Sequence, residues 1–480
     1  MKYDVLIIGA GAVGASVARE LSRYNLSIAL LDKENDVGNV TSMANSAIVH
    51  SGYDPVPGTN KAKFNVLGNK MFDAISDELD IKFERNGSLT VALYDSQLPM
   101  LEELAKRSKE NGVEVKLLSP EEVKAMEPNI SPEVKGALYA PTAGIIDPFN
   151  LVVHTVENAV DNGVNLFLNE EVINIEYSNE LTKIITKKNV YEAKMVVDAA
   201  GLASDKIARM VTDIDWKITP RKGQYFVLDH YKVGLVNSVI FPLPSEKGKG
   251  ILVSKTTSNN YIVGPSSEPV DDIDDLSTDS LTLANIRAQA TDMVPCIPFN
   301  QVIRAFSGNR ATCTRHDFVI ERAKDKENFI ILGGIESPGL VSSPAIGKYV
   351  VEEFIVPTLK PEKNPHFNPR VKRYLHPKQM DDKARNELIK KDPSYGEMVC
   401  FCEQVTLGEV KDVLSRSVPP RSIKAMKKRV RAGFGKCQGG FCQPRILAQL
   451  AKHYGISWLD VNYDEEGSNI LVENVKEPKR

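Results

Sequence analysis

The chain has 480 residues, of which 42% are hydrophobic and 26% are charged, so it can bury a large core and is long enough for about three domains. Its 60 basic and 63 acidic residues leave a net charge of -3, which gives no support to nucleic acid or an anionic membrane as the main partner. No apolar run reaches the roughly 18 residues of a membrane span, and the N-terminal segment is not a signal sequence, so we expect a cytoplasmic protein.

The first turn of the chain carries the clearest motif. Residues 5–8, VLII, predict a strand buried on both faces, and residues 10–23 show the apolar spacing of a helix. Between them Gly9 permits a tight turn, Gly11 lets backbone N–H groups approach a pyrophosphate, and Gly14 lets the helix pack closely on the strand. The phosphates then lie at the positive end of the helix, so this turn predicts a dinucleotide site.

A second predicted strand, residues 27–31, ends at Asp32. Its carboxylate is placed to accept hydrogen bonds from the hydroxyl groups of a ribose. Glycines alone also mark ordinary turns, but the strand, the helix and this acid together favour the dinucleotide. They do not distinguish NAD from FAD.

Small polar residues surround one histidine in the loop 41–53, TSMANSAIVHSGY. Such side chains let a planar ligand lie against the backbone while hydroxyl and N–H groups hold its phosphates; a plain polar loop is the alternative. Farther along, a buried strand at 195–197, a turn at 198–201 and a helix start at Ser204 repeat the pattern of the first turn. This repeat predicts a second strand-to-helix connection whose turn faces the phosphates or the flavin of a bound cofactor.

The other segments mix helices with short strands. Helices are predicted over 61–79, 98–111, 120–127, 149–162 and 343–354, and strands over 88–92, 165–177, 181–186 and 328–334. Four short strands, 224–228, 239–241, 250–253 and 261–263, predict an antiparallel sheet of the kind found in a substrate-binding domain.

Two polar segments are predicted to lack a role in the site. The acidic loop 271–280 is predicted to be solvated. The proline- and lysine-rich stretch 357–393 is predicted to be a linker with a helix near 381–391.

Four of the six cysteines form two pairs near the C-terminus, Cys400 with Cys402 and Cys437 with Cys442. In a reducing compartment, four thiolates in two close pairs favour a metal centre, and the unequal spacings favour an iron–sulfur cluster over zinc. Glycines around the second pair leave backbone N–H groups free to point at sulfur. The basic run 424–431 either stabilises the negative cluster or forms a solvated helix face.

The motifs together resemble known families over nearly the whole chain. The glycine turn with Asp32, the NSxxxHSG pattern at 45–52, DAAG at 198–201 and GGIESPGL at 333–340 resemble the FAD-dependent amino-acid-oxidase superfamily. Within it the chain is most similar to glycerol-3-phosphate dehydrogenases of the anaerobic, multisubunit kind, and next to L-2-hydroxyglutarate oxidases. MVCFCEQVT at 398–406 and GKCQGGFC at 435–442 resemble the 2Fe-2S domain of bacterioferritin-associated ferredoxin.

The resemblance implies FAD and a 2Fe-2S cluster as cofactors and assigns residues to them. The expected FAD contacts are Gly9, Gly11, Gly14, Asp32, Thr41, Ser42, Asn45, Ser46, Val172, Gly201, Gly339, Leu340 and Val341. The expected cluster ligands are Cys400, Cys402, Cys437 and Cys442. The expected catalytic and substrate-binding residues are His50, Arg310 and Arg315, with Arg315 as a second phosphate-binding arginine.

The implied reaction is oxidation of sn-glycerol 3-phosphate to dihydroxyacetone phosphate by hydride transfer to FAD, followed by relay of electrons through the cluster to other redox subunits. His50 either assists removal of the hydroxyl proton or has a structural role. The loop after it, SGYDP, lacks an arginine found in some glycerol-phosphate enzymes, so L-2-hydroxyglutarate or another 2-hydroxy acid is an alternative substrate. An amine or amino-acid oxidase and a non-catalytic electron-transfer subunit are further alternatives, and a partner could hold the chain at a membrane.

The expected fold is an α/β FAD-binding Rossmann-like domain with an antiparallel β substrate domain (α+β), plus a small helical iron–sulfur domain. The predicted FAD-binding domain comprises 1–85, 145–220 and 300–357, and the substrate domain 86–144 and 221–299. A linker at 358–395, the 2Fe-2S domain at 396–455 and a tail at 456–480 complete the predicted organisation.

Overall fold

The computed structural model describes residues 1–230, 234–244 and 250–473. Its strands, in chain order, are β1 (Lys2–Ile8), β2 (Ile28–Leu31), β3 (Ile48–Val49), β4 (Phe83–Glu84), β5 (Ser88–Ala92), β6 (Lys116–Leu118), β7 (Gly136–Ala140), β8 (Gly144–Ile146), β9 (Asn165–Phe167), β10 (Val172–Glu176), β11 (Thr182–Thr186), β12 (Val190–Asp198), β13 (Arg221–Leu228), β14 (Val239–Pro242), β15 (Leu252–Lys255), β16 (Tyr261–Gly264), β17 (Glu268–Pro269), β18 (Val302–Arg310), β19 (Val319–Ala323), β20 (Lys326–Gly333), β21 (Met398–Cys400) and β22 (Val405–Thr406).

The helices connect these strands and cover their faces. In chain order they are α1 (Ala12–Leu21), α2 (Asn60–Asn69), α3 (Phe72–Glu78), α4 (Leu98–Glu110), α5 (Pro120–Met126), α6 (Pro148–Asp161), α7 (Ser204–Arg209), α8 (Ser280–Met293), α9 (Gly339–Val350), α10 (Val356–Leu359), α11 (Asp382–Lys391), α12 (Leu407–Leu414), α13 (Ile423–Val430) and α14 (Gln443–Tyr454). Among the described residues, no helix has both the length and the apolarity needed to cross a lipid bilayer.

An eight-stranded mixed sheet is the centre of the first domain. Its path runs β10-β11-β12-β1-β2-β9, with β20 paired to β12 and β19 paired to β20. The apolar run of β1 pairs in parallel with β2 on one side and β12 on the other, which is why it is buried on both faces. On one face Val5 and Ile7 share a core with Val17 of α1, Val156 of α6 and Ile346 of α9.

A nine-stranded sheet forms the second domain, in the order β17-β13-β16-β15-β14-β5-β7-β6, with β18 paired along β13. Its neighbours are antiparallel except β14 and β5, which pair in parallel. Together with the first sheet and the small C-terminal domain, this arrangement confirms the predicted fold class. The pairing of β18 places residues 302–310 in the second sheet, whereas the predicted boundary at 300 assigned them to the first domain.

The acidic segment before α8 is anchored, in contrast to the prediction that it is only solvated. Asp275 accepts a hydrogen bond from the buried Lys222 ammonium at 2.7 Å, and that contact lowers the pKa of Asp275. Asp279 caps α8 and accepts a bond from the Gln224 side-chain amide at 2.7 Å. The segment therefore lies fixed against β13, and α8 itself is an element that the sequence patterns do not predict.

The predicted linker packs against the first domain instead of running free. The Arg19 guanidinium donates to the Pro369 carbonyl at 3.1 Å, and the Tyr374 ring stacks on His154 at a centroid distance of 4.3 Å. The Tyr374 hydroxyl donates to Glu157 at 2.7 Å. The predicted helix in this stretch is present as α11.

The small C-terminal domain has a core of its own, built by α12, α13 and α14 around residues such as Val410, Met426 and Leu450. Part of the predicted tail belongs to this domain, because Val461 is buried in the same core and Lys424 pairs with Asp464. Residues 474–480 of that tail lie outside the described residues.

Candidate active site and metal centre

The first turn has the close backbone contacts that its glycines predict. Gly9 follows β1 with φ at +106°, and a Cβ there would lie 2.4 Å from the Ala199 carbonyl oxygen. A Cβ on Gly14 would lie 1.9 Å from the Gly9 carbonyl oxygen, so α1 and β1 can approach this closely only without one. Helix α1 begins directly after this turn, its N-cap residue Gly11 has no side chain to cap it, and Gly11 and Ala12 line a cavity.

Asp32 lies at the end of β2 and contacts the first turn. Its carboxylate accepts the backbone N–H of Ala10 at 2.6 Å and that of Glu34 at 2.9 Å. Burial raises the pKa of this carboxyl to about 6, although both N–H bonds act in the opposite direction. Each oxygen accepts one of these bonds and has a second lone pair, which matches the expected role toward a ribose.

The loop after Asp32 is held against both domains by its small hydroxyl groups. Ser42 Oγ accepts the Ala12 backbone N–H at 3.0 Å, at the start of α1. Thr41 Oγ1 donates to the Asn309 carbonyl of β18 at 2.9 Å. The loop therefore joins the first turn to the second sheet.

The next residues of this loop use their side chains to fix its shape. Asn45 donates to the Thr41 and Ser42 carbonyls and accepts the Ala47 N–H at 2.8 Å. Ser46 Oγ lies 3.2 Å from the Tyr225 hydroxyl. Asn45 and Ser46 also line the cavity, so they form part of its wall.

The cavity has a volume of about 850 Å³ and lies between the first domain and the second sheet. His50 lines it, with its ring 5.8 Å from that of Phe241. The His50 carbonyl accepts the side-chain amides of Asn65 and Asn69 at 2.7 and 3.0 Å. These bonds from α2 fix the backbone that carries the imidazole.

Two arginines face the cavity from adjacent strands. Arg221 of β13 and Arg310 of β18 are directly paired in the antiparallel register, and both line the cavity. Arg310 donates to the Ser266 carbonyl at 3.0 Å, and Arg221 donates to the hydroxyl and carbonyl of Ser267 at 3.0 and 2.9 Å. Within the described residues, their hydrogen-bond partners are neutral oxygens, so two positive groups lie together without a paired carboxylate.

Arg315 has a different environment. Its side chain is 37% exposed, and its guanidinium pairs with Asp215 and with Glu321, the latter at 2.9 Å. It lies outside the cavity, although the next residue, His316, lines it. The structure thus does not bring Arg315 to the other predicted site residues.

The four cysteines meet at one end of the small domain. Cys402 and Cys437 have their sulfur atoms 3.7 Å apart, and the Cys400 and Cys442 side chains are hydrogen-bonded to each other. Cys400 and Cys442 are buried, Cys437 is half-buried and Cys402 is exposed. One side of this group of sulfurs therefore faces the solvent.

Backbone N–H groups from the glycine-rich loop point at these sulfurs, as predicted. The Cys442 contact lowers the pKa of Cys400, and the N–H groups of Glu403 and Gly433 act in the same direction. Burial raises the pKa of Cys437, but the N–H groups of Gly439 and Phe441 and the contact with Cys402 lower it, and the net direction is down. The pKa values of Cys402 and Cys442, the other members of the two contacts, are raised. These donors stabilise negative sulfur, as the thiolate ligands of an iron–sulfur cluster require.

Comparison with known families gives two matches. A family described as "FAD dependent oxidoreductase" matches residues 4–353, and a "BFD-like [2Fe-2S] binding domain" matches residues 398–452. The chain belongs to the FAD dependent oxidoreductase family. The first match covers both sheets, and the second covers all four paired cysteines.

Individual relatives of this oxidoreductase are similar over different lengths. A glycerol 3-phosphate dehydrogenase of Caloramator mitchellensis is 48% identical over 473 residues, which is 98% of both chains. The solved structure of dithionite-reduced L-alpha-glycerophosphate oxidase from Mycoplasma pneumoniae, with FAD bound, has a TM-score of 0.73 and 31% identity, and the match covers 77% of this chain and 98% of the other. A mitochondrial L-2-hydroxyglutarate dehydrogenase of Arabidopsis thaliana is 29% identical over 407 residues, 74% of this chain and 84% of the relative.

The residues of the first domain fit FAD, because the turn at Gly9 and Gly14 leaves no room for side chains and Asp32 meets it from the next strand. Of the other predicted contacts, Gly201, Gly339 and Leu340 line the cavity with the loop residues. Helix α9 begins there with no side-chain cap, so its positive end faces the cavity.

Five predicted FAD contacts do not line this cavity: Gly9, Gly14 and Asp32, whose contacts are described above, together with Val172 and Val341. Val341 is fully buried, and its carbonyl oxygen packs against Gly68 of α2. Val172 begins β10, close to Asp32, because Glu170 donates its N–H to the Asp32 carbonyl at 2.8 Å. Their contacts with FAD remain predictions.

The basic run of α13 was predicted either to stabilise the cluster or to form a solvated helix face, and part of it instead contacts the first domain. Arg429 forms a two-bond ion pair with Asp36 of the FAD-binding domain, at 2.9 and 2.8 Å, and Lys428 reaches the same carboxylate at 2.7 Å. All three residues are at most 4% exposed in their side chains, so this part of the helix is not solvated. Lys427 contacts the cysteine loop instead, with its ammonium over the Phe434 ring at 4.4 Å.

Proposed function

We propose that the chain oxidises the secondary hydroxyl of sn-glycerol 3-phosphate to the ketone of dihydroxyacetone phosphate. The observation that carries this proposal is the pair of guanidinium groups, Arg221 and Arg310, in the cavity that also contains His50. The names of the glycerol 3-phosphate dehydrogenase and glycerophosphate oxidase relatives support the same substrate.

A phosphate monoester matches this pair of arginines in charge and shape. Like charges directly opposite each other on two strands are destabilising, and an anion between them removes the repulsion. Phosphate carries close to two negative charges at neutral pH and offers three acceptor oxygens, while each guanidinium presents two parallel N–H donors. Arg221 therefore takes the role of second phosphate-binding arginine that the sequence resemblance assigned to Arg315.

His50 is proposed to accept the hydroxyl proton of the substrate. The imidazole is the side chain whose proton affinity lies nearest neutral pH, and the bonds from Asn65 and Asn69 hold its backbone in place. Bound FAD supplies the hydride acceptor, with Asp32 at its ribose. The start of α9 favours negative charge at the cavity wall.

Cys400, Cys402, Cys437 and Cys442 are proposed to hold the 2Fe-2S cluster. A cluster of this type supplies one-electron transfer, whereas the alcohol gives up two electrons. The proposed electron acceptors are other redox subunits, one of which could hold the chain at a membrane.

Anaerobic bleaching of bound flavin tests the substrate. With the chain carrying FAD and cluster, sn-glycerol 3-phosphate is expected to bleach the flavin and L-2-hydroxyglutarate to leave it oxidised. Arg221→Gln should weaken the apparent affinity for the phosphate substrate roughly 10- to 150-fold, because a hydrogen bond to a charged group contributes about 1.5–3 kcal/mol. Arg315→Gln is the matched control and should stay within about twofold of the unmodified chain. Equal effects of the two substitutions would refute the assignment.

A 2-hydroxy acid is the second candidate substrate. It is supported by the similarity to the L-2-hydroxyglutarate dehydrogenase and by the loop sequence SGYDP after His50, where Asp54 and Pro55 line the cavity. Arginines bind carboxylate as well as phosphate. Faster bleaching with L-2-hydroxyglutarate than with sn-glycerol 3-phosphate would establish this alternative.

A further inference from the structure

Two large aromatic side chains stand in solvent beside the cysteines. Phe401, between Cys400 and Cys402, is 67% exposed, and Phe441, next to Cys442, is 79% exposed. Fully burying a Phe side chain contributes about 1.5–3 kcal/mol to the stability of the folded chain. Two mostly exposed Phe side chains lack most of that contribution. The same loop packs Phe434 against Phe149 at a centroid distance of 5.2 Å, so the small domain is able to cover aromatic rings elsewhere.

The two rings belong to one surface. The residues that flank them are brought together by the contacts between Cys402 and Cys437 and between Cys400 and Cys442. Arg445, in the first turn of α14, lies over the Phe401 ring at 5.3 Å. We call the surface formed by Phe401, Phe441, Lys436 and Arg445 the cysteine rim; all four side chains are exposed.

The charged side chains of the cysteine rim are both positive. Lys436 and Arg445 are exposed, whereas the carboxylate of the same loops, Glu403, is buried and paired with Arg431 at 3.1 Å. Another surface of the small domain is already occupied, because Arg429 of α13 pairs with Asp36 of the FAD-binding domain. The exposed Cys402 borders this apolar, basic surface, and it also lines a smaller cavity with residues of the second sheet such as Lys255 and Tyr261.

We propose that the cysteine rim is the docking surface for a small acidic one-electron carrier protein. An apolar centre with charged residues around it is the anatomy of a transient electron-transfer contact, and opposite charge accelerates encounter. A second copy of the chain would bring the same positive charges together and is disfavoured. The inference rests on the proposed transfer of electrons from the cluster to another protein. Oxidation of one alcohol yields two electrons and two protons, so two carrier molecules each accept one electron and the protons pass to water.

The test uses the chain loaded with FAD and cluster, reduced with dithionite and freed of excess reductant, so that it needs no substrate. Oxidised cytochrome b5, which is acidic, and cytochrome c, which is basic, are mixed with it at low ionic strength. We expect cytochrome b5 to be reduced in a reaction that slows at least tenfold as salt rises from about 20 to 200 mM, since screening removes the attraction. Charge reversal by Lys436→Glu should slow it by a similar factor, and Lys124→Glu on α5 should not.

The apolar part of the rim is tested separately. The double substitution Phe401→Ala and Phe441→Ala should lower the rate with cytochrome b5 at least tenfold, whereas Leu281→Ala, which removes a side chain that is 82% exposed on another domain, should not. The visible and paramagnetic spectra of the cluster, and reoxidation by the small neutral oxidant benzoquinone, should be unchanged in every variant.

Four results would overturn the proposal: unchanged rates in the rim variants, faster reduction of cytochrome c than of cytochrome b5 at low salt, self-association that the double substitution abolishes, or binding to anionic vesicles that it abolishes. Failure of sn-glycerol 3-phosphate to bleach the flavin, with cytochrome b5 still reduced at the rim, would reject the proposed substrate and leave the docking surface intact.

Discussion

Removing the charge of Asp36 should weaken the attachment of the small domain to the FAD-binding domain. This carboxylate is 3% exposed and is shared by the guanidinium of Arg429 and the ammonium of Lys428, both equally buried. Asp36→Asn keeps the shape of the side chain but leaves two buried cations without a counter-charge. Breaking a buried ion pair by removing one partner costs about 3–5 kcal/mol, and most of that cost is expected here.

The assay is chemical denaturation of the loaded chain, followed by cluster absorbance and by flavin fluorescence. We expect the cluster signal of Asp36→Asn to be lost at a lower denaturant concentration, by an amount equal to about 3–5 kcal/mol. Adding Lys428→Met should restore part of the loss, because it removes one unpaired charge. The matched control is Asp77→Asn at the exposed pairs with Arg370 and Arg373, which should leave the denaturation midpoint nearly unchanged because solvent screens these pairs.

Acid provides an independent check on this ion pair. Its arginine and lysine partners hold the pKa of Asp36 far below the ordinary 3.8, against the effect of burial. A carboxyl whose pKa is lowered on folding contributes stability above pH 3.8, and that contribution is lost as the pH falls further. An Asp36→Asn chain within about 1 kcal/mol of the unmodified one, with the same acid sensitivity, would refute the account of the interface.

Three further outcomes follow from the proposed site. His50→Ala should slow anaerobic flavin reduction by on the order of 10²-fold or more without loss of bound FAD; an unchanged rate would leave His50 a structural residue. In FAD-free protein, the pKa of Asp32 is raised to about 6, so the free energy of unfolding should fall by roughly 3 kcal/mol as the pH rises from about 3.8 to 6. In Asp32→Asn, the free energy of unfolding measured by urea titration should depend less on pH over that range. Cys437→Ser should lose iron and the cluster spectrum and keep substrate-dependent bleaching, but no longer deliver electrons to cytochrome b5; delivery at the normal rate would disprove the relay.

Local motifs predicted those parts of the site that depend on short stretches of chain. The turn at Gly9 and Gly14 requires glycine because backbone atoms come within contact distance there, and this requirement is visible in sequence. The same holds for the acid at the end of β2 and for the paired cysteines, since the acid directly follows a buried strand and the two cysteines of each pair are close together in the sequence. These features were predictable together with the fold class.

Contacts between distant segments were not predictable in this way. Arg221 meets Arg310 through the register of two strands, and no local pattern records that register. Arg315 lies beside a cavity residue, but His316 has φ at +57°, so the chain turns there and the two neighbouring side chains have different surroundings. The partner of Arg429 is Asp36, almost 400 residues earlier in the chain, so a basic run alone could not reveal a buried interface.

The way the small domain is attached decides how electrons can leave the protein. Besides the contact with Asp36, Arg416 of this domain is buried against Glu157 at 2.8 Å, and its guanidinium lies 3.3 Å from the centre of the Tyr374 ring. Two such buried anchors are incompatible with a tethered arm that swings between donor and acceptor. The small domain is instead held in one position, so any electron acceptor has to diffuse to it.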